Sequence, residues 1–250
     1  MALLFRGRRR ESPGKRRDDA RMSIVEHLED LRRALIISLI GWIAMTIVAF
    51  VFWKPILEFL IRRANLTESG LIFLAPTGGF MIGLKIAFVV GLVAAAPVII
   101  WQIWWFVSPG LHDHEKRLIV PLIGATSFFF LLGVGFAMFS LPLIMRVLTG
   151  FAPPELRYLP DGNELLGFVM LITISFGIVF ELPVVLYTLG LLRIISSRWL
   201  YRHRAYWVVG LGLLANFMTP GGDPLTPLLV FVPMWFFWES TALLLKLTGR

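Results

Sequence analysis

Glu181 is the acid in this chain that most needs an explanation. It stands in Phe180-Glu181-Leu182-Pro183, inside a long apolar run. About twelve residues, or roughly 18 Å of helix, separate it from Arg193, so its side chain cannot simply extend to an aqueous surface. Lys85 and Glu239 also fall within apolar runs. Ionisable groups in such places face a bundle interior or a wet cavity, where they either serve function or satisfy structural hydrogen bonds. For Glu181 function is the stronger reading; for Lys85 and Glu239 the two stand level. His112, Asp113, His114 and Glu115 have the side chains of a divalent metal site, but four consecutive ligands cannot converge on one ion from a helix, and a solvated interfacial turn fits them better. The chain has no cysteine, which excludes disulfides, thiolate metal sites and a cysteine nucleophile together. No phosphate-binding G-x-x-x-x-G-K-[ST] loop, H-E-x-x-H helix or G-x-S-x-G elbow is present. Gly210, Gly212 and Ala215 fit G-x-G-x-x-A without a preceding strand, and close helix packing is the expectation there, as for Gly79 and Gly83.

The elements that must position these residues are membrane helices. Hydrophobic residues make up 57% of the 250, and the mean hydropathy is +0.78. Soluble domains hold about 45–50% apolar residues, and a water-soluble core cannot absorb this excess. Roughly 20 apolar residues cross the hydrocarbon core as a helix. Six runs are placed at about 34 to 53, 78 to 104, 118 to 145, 164 to 191, 205 to 218 and 228 to 245. The fifth offers about 14 residues, some 21 Å, short of a core of about 30 Å. It is therefore either a core helix or one sited where the bilayer is thinned.

Charge sets the orientation. The net charge is +8, but the cations lie at span ends and in one tail and do not form an aromatic-interleaved surface, which argues against nucleic acid. With the N-terminus inside, eighteen Lys and Arg fall on inner segments, among them Lys116, Arg117, Arg193, Arg198, Arg202, Arg204, Lys246 and Arg250. Five fall outside: Lys54, Arg62, Arg63, Arg146 and Arg157. The positive-inside rule then puts both termini in the cytoplasm. Residues 1 to 21 read as a disordered basic tail, 22 to 245 as the membrane domain, and 246 to 250 as a short cytoplasmic end. Ser23 and Glu26 fit a capping box that opens an N-terminal helix with Ile24, Leu28 and Leu31 along one stripe. The first apolar run is full length and follows a long polar stretch, which suggests a retained anchor instead of a cleaved signal.

Four stretches carry a resemblance: His27-Leu28-Glu29-Asp30-Leu31-Arg32; Ala96-Pro97-Val98 through Phe106-Val107-Ser108-Pro109-Gly110-Leu111 to His114-Glu115-Lys116-Arg117; Phe180-Glu181-Leu182-Pro183; and Met218-Thr219-Pro220-Gly221-Gly222-Asp223-Pro224. In order, spacing and layout the chain resembles the TatC family, the receptor subunit of the twin-arginine protein translocase, over about residues 22 to 245. The resemblance implies an all-α membrane fold, a curved, glove-like bundle of six helices with the fifth and sixth short. It implies no enzyme and no cofactor, but recognition of twin-arginine signal peptides on folded proteins and transport driven by the proton-motive force. The implied partners are single-span TatA-type and TatB-type proteins, with several copies of the chain in a hetero-complex in the cytoplasmic (inner) membrane.

By that resemblance Asp30 and Glu115 bind the arginines, with Glu29 sharing that role and Phe106 packing on the peptide. Glu181, Asp223 and Glu239 are the polar contacts for partner helices. Two carboxylates on one surface suit two guanidinium forks, each bound bidentately. An ordinary helix pair of Glu29 with Arg33, at about 0.3–0.5 kcal/mol, is compatible with this role. The chain departs from the family pattern at three places: Asp30 stands where glutamate is usual, the outer loop has one extra glycine before Asp223, and Pro227 replaces a glutamine used for partner contact. The alternative reading is a proton-coupled secondary transporter with Glu181 as carrier, although no similarity between the two halves of the chain supports it. An intramembrane enzyme is weaker still, since no nucleophile and base stand at a recognisable spacing.

Overall fold

The structure is a computed structural model that describes residues 24–66, 71–108, 116–151, 153, 159–219 and 225–249. The basic tail, Ser23, the run His112 to Glu115 and Asp223 lie outside the described residues.

Helices account for nearly all of the described chain. They are α1 (Ile24–Val51), α2 (Trp53–Arg63), α3 (Gly78–Val107), α4 (Ile119–Thr149), α5 (Gly162–Val179), α6 (Leu182–Leu191), α7 (Ser197–Arg202), α8 (Arg204–Met218) and α9 (Leu225–Leu247), with a 3₁₀ turn at Lys116–Leu118 before α4. Five stretches are long and apolar enough to cross a membrane: α1, α3, α4, α5 with α6, and α9. The sixth expected run is α8. Its 15 residues rise about 22 Å, short of a core of about 30 Å. At 23 residues α9 is also shorter than α3 and α4, which have 30 and 31. The amphipathic N-terminal helix and the first span form one continuous helix, α1.

Two helices have no counterpart among the expected elements. α2 has a strongly two-sided sequence with Lys54, Glu58, Arg62 and Arg63 among apolar residues, so it lacks the unbroken apolar run that marks a span. α7 is only six residues long, opened by Ser196, whose side chain accepts from the Trp199 N–H at 3.2 Å.

Prolines shape the long helices and leave specific carbonyls free. Pro142 has no N–H to offer the Met138 carbonyl four residues earlier, and Arg63 fills the vacancy from α2, its Nε donating to that oxygen at 2.8 Å. In the fourth span Pro183 similarly cannot bond Val179, and the helix breaks at Phe180–Glu181 into α5 and α6. This break nests on α4, where a methyl on Gly133 would collide with the Phe176 carbonyl and stand 2.9 Å from the Phe180 Cβ. Only glycine permits that approach.

The core lies around α5, α6, α8 and α9. Phe176, Leu200, Ala215, Met234, Trp238 and Leu245 are fully buried within it. Phe180 packs on Phe136, Phe176 and Phe237 with centroids 4.6–6.5 Å apart, and Trp235 stacks on Trp238 at 4.7 Å. α1 packs along α3 and comes close at Gly91, where a methyl would be 2.6 Å from the Thr46 Cα. The Trp42 indole N–H donates to the Phe88 carbonyl across the same pair at 3.0 Å.

The glycine expectations are corrected in part. Gly83 receives the Trp53 ring, with atoms at 3.1–3.4 Å from an added methyl, but Gly79, Gly210 and Gly212 meet nothing within 4 Å. Gly210 and Gly212 do not enter the core from α8, and only Ala215 of that set does. Their spacing therefore does not mark a helix contact among the described residues.

Candidate functional site

Three of the expected receptor residues, Glu29, Asp30 and Phe106, lie where α1 begins and α3 ends. The imidazole of His27 stacks on the ring of Phe106, with centroids 4.3 Å apart and planes within 15°. Just across the α3–α4 connection, the Trp104 indole N–H donates to Thr126 Oγ1 at 3.2 Å. These contacts bring the start of α1, the end of α3 and the start of α4 to one face. Leu118, Leu191 and Leu244 line a common cavity, so the ends of α6 and α9 belong to the same face.

On that face Glu29 is exposed and Asp30 half-buried. Among the described residues neither carries an ion pair, and the Glu29–Arg33 pair that would be the ordinary structural alternative does not form. Both carboxylates are thus available to a cationic ligand. The stack leaves one face of Phe106 occupied, and the ring is half-buried. Glu115, the loop carboxylate, lies outside the described residues. From the sequence His27 stands out only as part of its motif; its role in tying Phe106 to α1 has no signal in spacing, because the partners are 79 residues apart.

Glu181 caps the break between α5 and α6 without using its side chain as a cap. Both carboxylate oxygens are buried, and neither has a well-formed hydrogen bond among the described residues, the Phe130 backbone making a weaker contact from α4. A buried carboxylate so weakly answered is costly, and it suits a polar partner outside the described residues, water or a proton.

Glu239 differs. Arg204 Nη2 sits 3.2 Å from its Oε2, an ion pair without hydrogen-bond alignment, and the same guanidinium lies 5.0 Å over the Trp235 ring. Lys85 is structural, since its ammonium donates to the Asn163 carbonyl at 3.0 Å and ties α3 to the first turn of α5. That first turn is set by Asp161, which accepts from the Asn163 N–H at 2.7 Å, and by an isolated parallel bridge between Ile72 and Asp161. Lys85 therefore belongs to the face opposite Phe106. Asp223 lies outside the described residues, and no group of three or more metal-binding side chains occurs among the described ones.

The family model for the Sec-independent protein translocase protein (TatC) matches residues 26–233. A TatC from Carboxydothermus hydrogenoformans is 35% identical over 230 residues, covering 92% of this chain and 95% of that protein. One from Aquifex aeolicus is 36% identical over 234 residues, covering 92% and 97%. A crystal structure of the twin-arginine translocase receptor TatC superposes with a TM-score of 0.79 at 35% identity, covering 90% of this chain and all of that one. The helices, the stacked motif at the α1–α3 end and the broken fourth span thus sit in a chain that belongs to the TatC family of Sec-independent protein translocase components.

Proposed function

We propose that this protein is the signal-peptide receptor and core membrane subunit of a twin-arginine translocase that exports folded proteins using the proton-motive force. The observation that carries the reading is the His27–Phe106 stack, which sets two unpaired carboxylates, Glu29 and Asp30, beside the end of α3. An arginine pair arriving there finds planar bidentate acceptors and an aromatic surface, and Glu115 supplies a third carboxylate from the adjoining loop.

This face is the cytoplasmic one, and both termini are cytoplasmic. Supporting that orientation, Arg32, Arg33, Arg117, Arg193, Arg198, Arg202 and Lys246 stand at the helix ends on this side, the distribution that the positive-inside rule reads. Residues 22 to 245 form the membrane domain in the inner membrane. Glu181 presents its unsatisfied carboxylate to a single-span TatA-type or TatB-type partner, Asp223 and the exposed part of Glu239 add contacts, and several copies of the chain assemble in the complex. No observation favours the transporter alternative, and the family match points away from it.

Photo-crosslinking from Glu29, Phe106 and Glu115 to a signal peptide tests the receptor site. Crosslinks with an Arg-Arg peptide that fade with Lys-Lys are expected. Equal crosslinks with both peptides would reduce the site to simple charge attraction, and none with either would remove the receptor assignment from this face.

A further inference from the structure

The ends of α6 and α9 carry a cationic cavity that receptor function does not use. A space of about 690 Å³ is lined by Ser196, Arg198, Tyr201, Lys246 and Gly249, and a neighbouring one of about 350 Å³ by Gly190, Arg193 and Thr248 with Ser196 and Gly249 in common. From Leu182 to the C-terminus the chain has six Lys and Arg (Arg193, Arg198, Arg202, Arg204, Lys246, Arg250) and two acids, Asp223 and Glu239. Glu239 is already held by Arg204 at 3.2 Å. Among the described residues no carboxylate therefore answers Arg193, Arg198 or Lys246, and all three are exposed. A cluster of this kind attracts an anion.

Arg193 adds an independent sign. α6 closes in a Schellman turn: the Arg193 N–H donates to the Gly190 carbonyl at 3.1 Å and the Ile194 N–H to the Leu189 carbonyl at 2.9 Å. The residue at the left-handed position of such a turn is ordinarily glycine, yet here it is arginine at φ 57°. A non-glycine residue held there, with its side chain lining an anion-seeking cavity, points to a use for that side chain.

Immediately below, the same two helix ends border an apolar groove of about 400 Å³ between α4, α6 and α9. Its lining includes Leu118, Leu122, Ala125, Tyr187, Leu191 and Leu244. Leu191 directly follows Gly190, and Leu244 accepts the Thr248 hydroxyl through its carbonyl at 3.0 Å, so the groove adjoins the smaller cavity of Arg193 along both helices, and that cavity shares Ser196 and Gly249 with the larger one. We infer that this junction binds an anionic phospholipid, with its phosphodiester against Arg198, Lys246 and Arg193 and an acyl chain along the groove. Charge complementarity selects the headgroup, and the position where α6 and α9 end at the membrane boundary selects a lipid over a soluble anion.

The test uses the full chain, purified in neutral detergent and stripped of lipid, with bound lipid counted by native mass spectrometry during titration. The ligands are dioleoyl phosphatidylglycerol, dioleoyl phosphatidylcholine and glycerol 3-phosphate. Wild-type protein is expected to retain phosphatidylglycerol well above phosphatidylcholine. At roughly fivefold per cation near a membrane surface, the R198Q/K246Q variant should lose about 30-fold in phosphatidylglycerol affinity. Arg62→Gln, which removes a cation paired with Glu58 on α2, should leave binding unchanged. Ala125→Phe fills the groove and should weaken phosphatidylglycerol retention as well. Unchanged binding in R198Q/K246Q, or equal retention of the two lipids, would overturn the site. Glycerol 3-phosphate competing at the same concentration as the lipid would make it a soluble-phosphate site, and an unaffected Ala125→Phe variant would take the acyl chain out of the groove.

Discussion

α1 and the α5–α6 span are both long and apolar, yet over their most apolar stretches 6% of the first and 61% of the second is buried inside the chain. In water that difference would mark α1 as aggregation-prone; in a bilayer exposed apolar surface is neutral, and burial reports only packing within the chain. The α5–α6 span is held on several sides by α4, α3, α8 and α9, whereas α1 packs along α3. One region makes the fold rigid. The other offers a long lipid-facing surface and carries the proposed receptor carboxylates at its end, where a helix anchored on one side can adjust to a peptide or partner.

The contrast is easiest to attack in the core. Trp238→Ala removes a fully buried ring packed against α8 and α9 neighbours and should cost about 3–5 kcal/mol, seen as a lowered thermal midpoint in detergent. Leucine at Gly133 must push the α5–α6 break off α4, at the upper end of the ~1–3 kcal/mol typical of overpacking, with the same readout. If Gly91→Leu were equally damaging to the midpoint, the contrast between the two regions would be lost. It should instead separate α1 from α3 while the core melts as before, and because the chain has no cysteine, a pair introduced at His27 and Phe106 reports that separation by loss of crosslinking.

Function should move without stability at the end of α1. Replacing Glu29 and Asp30 together by Gln and Asn should weaken Arg-Arg peptide binding by about 1.5–3 kcal/mol, one charge-assisted hydrogen-bonded contact, with no change in the midpoint. A fall in the midpoint would show that these carboxylates serve the fold. The smallest effect belongs to Arg204→Gln: the pair with Glu239 is more than a third exposed at both ends, and such pairs contribute only about 0–1 kcal/mol.

The membrane class, the positions of the later long helices to within a few residues, the short α8 and the family motifs are all legible in the linear chain, because each is written in contiguous residues as length, apolarity or local order. Pro183 beside Glu181 marks a special place in the fourth span, but it does not reveal that both carboxylate oxygens are buried without a well-formed hydrogen bond among the described residues. Which distant groups meet is settled by the packing of the helices: His27 on Phe106, Arg63 on the carbonyl that Pro142 leaves free, Lys85 on Asn163, Arg204 on Glu239. The same packing puts Gly133 and Gly91 at helix crossings and leaves the space over Gly210 and Gly212 open among the described residues. In a membrane nearly every position is apolar, so periodicity no longer separates buried faces from lipid-facing ones, and which small or polar residue finds a partner depends on how the helices cross.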